Sequence, residues 1–144
     1  MFENPKDSEI RGILEKSKNI AVVGLSGNPE KDSHRVAGYL IEKGYNIIPV
    51  NPSEAEILGR KCYKTLSSVP EKIDIVNVFR RSEHLPAIVE EAVRAGTACI
   101  WAQLGVSCAA SAEKASGEGI NVVMDRCIKV EHRRLIGTAG HEKK

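Results

Sequence analysis

Ser26, Asn28, Lys31, Ser33, His34 and Arg35 crowd into ten residues of the stretch IAVVGLSGNPEKDSHRV, directly after an apolar run. Hydroxyl, amide, ammonium, imidazole and guanidinium groups all donate hydrogen bonds to phosphate oxygens. Gly24, just ahead of them, lets backbone come close to a ligand. A helix opening near Ser33 adds unpaired N–H groups and the positive end of its dipole. The chemistry so assembled is capture of an anion. The plainer reading of the same residues is a capped, solvated loop.

A second cluster is Val78-Phe79-Arg80-Arg81-Ser82. Guanidinium pairs with phosphate through two parallel hydrogen bonds, so Arg80 and Arg81 suit a ligand carrying several phosphate charges. Phe79 offers a flat face for a planar base. Surface ion pairs with acids such as Glu83 would account for the arginines without a ligand. Asn51-Pro52 follows another apolar run, and Gln103-Leu104-Gly105-Val106 follows a further one, with amide and backbone groups for the same crevice.

The dinucleotide fingerprint G-x-G-x-x-G is absent, because Ser26 and Pro29 stand where its second and third glycines belong. Val50-Asn51-Pro52-Ser53 lacks the acid that would hold ribose hydroxyls. Both departures argue against an ordinary nicotinamide dehydrogenase. No G-x-S-x-G, H-E-x-x-H or Walker A stretch occurs, and His34, His84, His132 and His141 are scattered. No catalytic constellation emerges, and the expectation is a protein that is not an enzyme. Cys62, Cys99, Cys108 and Cys127 include no C-x-x-C pair, which argues against zinc and for free thiols. Cys127 is the thiol to watch, since Arg126 and Lys129 beside it can lower its pKa.

The elements that must position these groups alternate along the chain. Apolar, β-branched strands are expected at 19–25, 45–50, 73–79, 97–104 and 120–125. Helices are expected at 7–18, with Asp7 or Ser8 as N-cap, at 33–44 with Ser33 as N-cap, and at 83–96, 111–119 and 127–135. Residues 51–72 fit the alternation poorly and read as a short helical turn within an irregular connection over one sheet edge. Apolar strands joined by helices predict an α/β fold, a Rossmann-like doubly wound parallel sheet of about five strands in the order 3-2-1-4-5. Ligands bind such sheets beyond the carboxyl ends of the strands, where the order reverses.

Length and charge set the frame. The chain has 144 residues, 42% hydrophobic and 28% charged, with a net charge of +2. That describes one globular domain whose core spans about 10–135, with 136–144 fraying. The weak charge excludes a nucleic-acid binder of the whole-surface type. No apolar run reaches the roughly 20 residues of a membrane helix, and the polar N-terminus resembles no targeting peptide, so a cytoplasmic protein is expected.

Taken in order, VVGLSGNPEKDSHRVAGYLIEKGYNIIPVNP, IDIVNVFRR, IWAQLGV and VVMDRCIKVEH resemble the stand-alone CoA-binding domain proteins of bacteria and archaea. These are similar in fold to the CoA-binding domain of the succinyl-CoA synthetase alpha subunit. The resemblance spans roughly residues 10–135. It implies coenzyme A or an acyl-CoA as cofactor, held through its ADP and pyrophosphate portion by a carrier, sensor or partner module. It places Gly24, Ser26, Ser33 and Arg35 around the pyrophosphate and Asn51 and Pro52 beside the nucleotide. Phe79 and Arg80 fall near the adenine or the pantetheine arm, while Leu25, Asn28, His34, Arg81 and Gly105 complete the candidate set. The synthetase's phosphorylated histidine belongs to another domain, so the ligase reaction does not transfer. The competing expectation is an NAD(P)-linked oxidoreductase or a thiol-dependent enzyme using Cys127. A protein partner is compatible with the sequence but not identified by it.

Overall fold

The structure is a computed structural model that describes residues 2–137. His141 and most of the stretch expected to fray lie outside the described residues. Short β-branched runs form a parallel five-stranded sheet from β1 (Asn19–Val23), β2 (Asn46–Val50), β5 (Ile75–Val78), β6 (Cys99–Ala102) and β7 (Asn121–Val123). β3 (Glu56–Ile57) and β4 (Arg60–Lys61) make a separate antiparallel ribbon. The α-helices are α1 (Asp7–Lys16), α2 (Asp32–Glu42), α3 (Leu85–Ala95), α4 (Ala109–Gly117) and α5 (Ile128–Leu135).

Side chains alternate across each strand, so the apolar runs feed two cores. On one face Val23, Val76, Val78 and Ile100 pack under α3 and α4 through Leu85, Ile88, Val89 and Ala112. On the other, Ile20, Val22, Ile75 and Trp101 meet α1, α2 and α5 through Leu14, Val36, Leu40 and Ile128. Full burial of each large apolar side chain contributes about 1.5–3 kcal/mol. The α/β doubly wound class is therefore as expected, and among the described residues no helix is long and apolar enough to cross a membrane.

The strand order differs from the expected 3-2-1-4-5. Counting the five strands of the sheet along the chain, it is 2-1-3-4-5, because β5 pairs with β1 and not with β2. The outer edge of β2 is already taken. Tyr63 donates its N–H to Pro49 O at 3.0 Å and accepts that of Asn51 at 2.9 Å, and the Arg60 guanidinium donates to Asn46 Oδ1 at 3.1 Å. Pro49, which has no N–H, faces that edge, where a further strand would find no donor. The chain instead passes through a 3₁₀ turn at Leu66–Ser68 and enters the sheet beside β1. The order thus reverses between β1 and β5, which fixes where a ligand crevice belongs.

Two expected caps also move. Ser33 lies inside the first turn of α2, behind Lys31 as N-cap, and Lys6 precedes α1, its N–H accepted by Glu9 Oε1 at 3.1 Å. The irregular 51–72 connection holds the β3–β4 ribbon, turned by Leu58 and Gly59 at φ of 55° and 73°, and the short helical turn expected within it is the 3₁₀ turn at Leu66–Ser68.

Candidate functional site

Val23, Val78 and Ala102 stand side by side, so Gly24, Phe79 and Gln103 leave three adjacent strands at one level. The Phe79 N–H donates to Val23 O at 2.8 Å and the Gln103 N–H to Val78 O at 3.2 Å. Gly24 has φ of 88°, and a Cβ there would lie 2.6 Å from Phe79 O and 2.9 Å from Arg80 Cδ. Only glycine fits. The Arg80 stem therefore crosses directly over Gly24, and its guanidinium reaches 3.4 Å from His84 Nε2. Arg80 and Arg81 are both exposed at this rim.

The loop after β1 is held by its own polar groups. Ser33, only 5% exposed, accepts the Ser26 N–H at 3.0 Å. Ser26 Oγ accepts the Asn28 N–H at 3.0 Å, and Asn28 Oδ1 the Glu30 N–H at 2.9 Å. From β2, Asn51 donates its amide to Leu25 O at 2.9 Å while its Oδ1 accepts the Ser53 N–H at 2.7 Å. Leu25 is fully buried, so it can meet a ligand only through backbone. Arg35 donates to Glu30 O at 2.8 Å and to Asp32 Oδ1 at 2.7 Å. Four of the candidates, Ser26, Asn28, Ser33 and Asn51, thus form the scaffold of the loop. Of the first-turn N–H groups of α2, that of Lys31 is accepted by Asn28 O at 3.0 Å and that of His34 by Lys31 O at 3.1 Å, which leaves those of Asp32 and Ser33 without a backbone acceptor among the described residues. His34 is half-buried and Pro52 exposed beside them.

Gly105 stands apart, beyond β6, where its N–H donates to Asp125 Oδ1 at 2.7 Å. Gln103 is 8% exposed and its Oε1 has no partner among the described residues, on the sheet face that Cys99 and Trp101 share. A buried acceptor left unpaired costs about 1–3 kcal/mol, and a donor from a ligand would recover it.

Sequence reasoning missed two groups. Glu54 presses its carboxylate over Gly27, where a Cβ would come within 3.3 Å of Oε2, although Val50–Ser53 carries no acid. Its only sequence signal was a position just past the Asn51 turn. The second is Cys108, the N-cap residue of α4, whose thiol pKa is lowered by hydrogen bonds from Ser111. Cys127 is the N-cap residue of α5, but the cations expected to act on it turn away. Arg126 donates to Asp125 O at 2.8 Å and Lys129 lies over the Tyr39 ring.

A groove of about 980 Å³ lies at the opposite, amino end of the sheet, between α1 and α4. Glu3, Glu9, Asp74 and Glu113 line it against one cation, Lys16. That balance repels a polyphosphate. The charge at this end of the sheet is therefore opposite in sign to that of the arginine-bearing rim.

A family model described as a CoA binding domain matches residues 18–133. The Bacillus subtilis protein YneT, described as uncharacterized, is 46% identical over 131 residues, 91% of this chain and 97% of that protein. A hypothetical protein of Pyrococcus horikoshii has the same fold with a TM-score of 0.89 at 39% identity, covering 95% of this chain and 100% of its own. The alpha subunit of ADP-forming acetate–CoA ligase I from Pyrococcus furiosus is 35% identical over 85 residues. That match covers 55% of this chain but 18% of the ligase subunit.

Proposed function

This chain belongs to the CoA binding domain family, with ADP-forming acetate–CoA ligase subunits among its relatives, and we propose that it binds coenzyme A or an acyl-CoA at the β1–β5 rim as a non-catalytic module. The observation that carries this reading is the contact of Gly24 with Phe79 and Arg80, which brings bare backbone and a guanidinium to the point where the strand order reverses. In this reading the pyrophosphate meets the first turn of α2 and the loop built by Ser26, Asn28 and Ser33. Arg80, Arg81, His34 and Arg35 neutralise the phosphates, and Phe79 takes a flat group. Asn51 and Pro52 border the nucleotide. The pantetheine arm runs along the rim past Gln103, whose Oε1 accepts one of its amide N–H groups, toward Gly105. The cofactor's thiol supplies any acyl chemistry, and the chain's own groups bind and orient it.

The ligase relatives carry this domain within much longer chains, so their reaction is not assigned here. A cytoplasmic carrier or sensor that hands CoA to another protein suits a fold with charged donors and, among the described residues, no assembled nucleophile and base.

Native mass spectrometry and calorimetry test the reading. The expected result is one CoA per chain, with affinity falling at least tenfold in Arg80→Ala. Absence of CoA binding at high micromolar ligand, with tight NADP binding, would transfer the site to a dinucleotide oxidoreductase. Glu54 above Gly27 is the one observation favouring that second reading, because a carboxylate there can accept ribose hydroxyls.

A further inference from the structure

The outer surface of the α2–α5 layer gathers positive charge around one aromatic ring. Lys43 Nζ and Lys129 Nζ each lie 5.5 Å from the centroid of Tyr39, and Arg133 Cζ lies 5.7 Å from it. The Tyr39 hydroxyl is 2.8 Å from Nδ1 of His132, whose ring meets Tyr39 edge-on at 5.4 Å. The ring is therefore fixed, and the cations are held against it within the usual range of about 6 Å for a cation over an aromatic face.

The same helix shows what is missing. Arg134 pairs with Asp7 at 2.9 Å and with Glu131. Lys129 and Arg133 have no carboxylate partner among the described residues. Lys43 is only 7% exposed, which leaves Lys129 and Arg133 as the outward charges at this ring; they stand at most about 11 Å apart, close to one Debye length, so they repel one another and attract an anion jointly. Val130, 50% exposed, precedes Arg133 by three residues and neighbours it on the helix surface. Tyr39 lies two turns into α2, about 10 Å from the rim at 1.5 Å per residue, so the patch is separate from the crevice after β1.

We infer that this surface docks an acidic segment of a partner protein, one presenting two or more carboxylates around an apolar side chain. The carboxylates meet Lys129 and Arg133, and the apolar side chain covers Val130 beside them. Fixed Tyr and Arg beside an exposed aliphatic residue is the composition of a protein-contact centre. A nucleic acid would be met instead by a longer basic stripe, which a chain of net charge +2 does not carry here.

The test is titration of the full ¹⁵N-labelled chain with a synthetic peptide alternating Glu and Leu. Its Lys–Leu counterpart, tripolyphosphate and a single-stranded RNA oligonucleotide serve as separate arms. The expected result is saturable shifts at the Tyr39, Lys129 and Arg133 amides with the Glu–Leu peptide alone. The double substitution Lys129→Glu and Arg133→Glu weakens that binding tenfold or more, while CoA affinity and the melting temperature stay the same. Lack of binding at millimolar peptide, equal binding by the charge-reversed variant, or shifts at the patch with RNA or tripolyphosphate and not with the peptide would each overturn the inference.

Discussion

The two ends of the sheet offer a ligand opposite things. At the amino end, between α1 and α4, there is room, about 980 Å³, but the walls carry four acids and one lysine. At the carboxyl end Gly24 exposes backbone beneath Arg80 and a helix begins directly behind the loop. A phosphate-bearing ligand is desolvated only where donors replace its water, so the arrangement of N–H groups and guanidinium outweighs volume.

The comparison breaks most sharply at Gly24. Gly24→Ala sets a Cβ 2.6 Å from Phe79 O at a φ of 88°, so strain and steric clash act together. A loss of about 2–4 kcal/mol in stability is expected by denaturant unfolding, with CoA binding abolished in the protein that still folds. Next comes Arg80→Ala, which leaves the fold intact and lowers CoA affinity by about ten- to hundredfold, the worth of a charge-assisted hydrogen bond. Calorimetry at two ionic strengths checks it, since the wild type should lose affinity with added salt faster than the variant.

The thiols sharpen the contrast further. Cys108 lies at the rim with its pKa lowered by Ser111, whereas burial pushes Cys99, beside the amino-end groove, up to about 12. A thiol with lowered pKa keeps more thiolate at pH 7. Iodoacetamide should therefore label Cys108 several-fold faster than Cys99, the rate rising as pH climbs through the lowered range, and Ser111→Ala should slow it. Tryptic mapping of the alkylated protein reads this directly. The smallest effect belongs to the amino end. Glu3→Gln, in the groove wall, should leave CoA affinity within about twofold by calorimetry, since a group lying well beyond one Debye length from the rim is screened.

Much of the rim was legible from the residues. Gly24, Phe79 and Arg80 were marked by their places after apolar runs, and periodicity located all five strands. The strand order was not legible. It depends on Tyr63 closing the outer edge of β2, a contact between residues whose short ribbon and 3₁₀ turn leave no periodic trace. Ser33 and Asn51 were seen as polar groups near a ligand, but nothing local revealed that each holds the loop together. Glu54 was overlooked because the fold of the loop, and not the spacing, brings it to Gly27. Cys127 drew notice through its basic neighbours, and side-chain direction alone shows them turned elsewhere.

Amide shift mapping with CoA on the ¹⁵N-labelled protein tests the central claim most directly, because it reports both ends of the sheet at once. Shifts confined to residues 24–35, 79–84 and 103–105 are the predicted result. Shifts concentrated at 2–17 and 113–122, with the Gly24 amide unmoved, would contradict it.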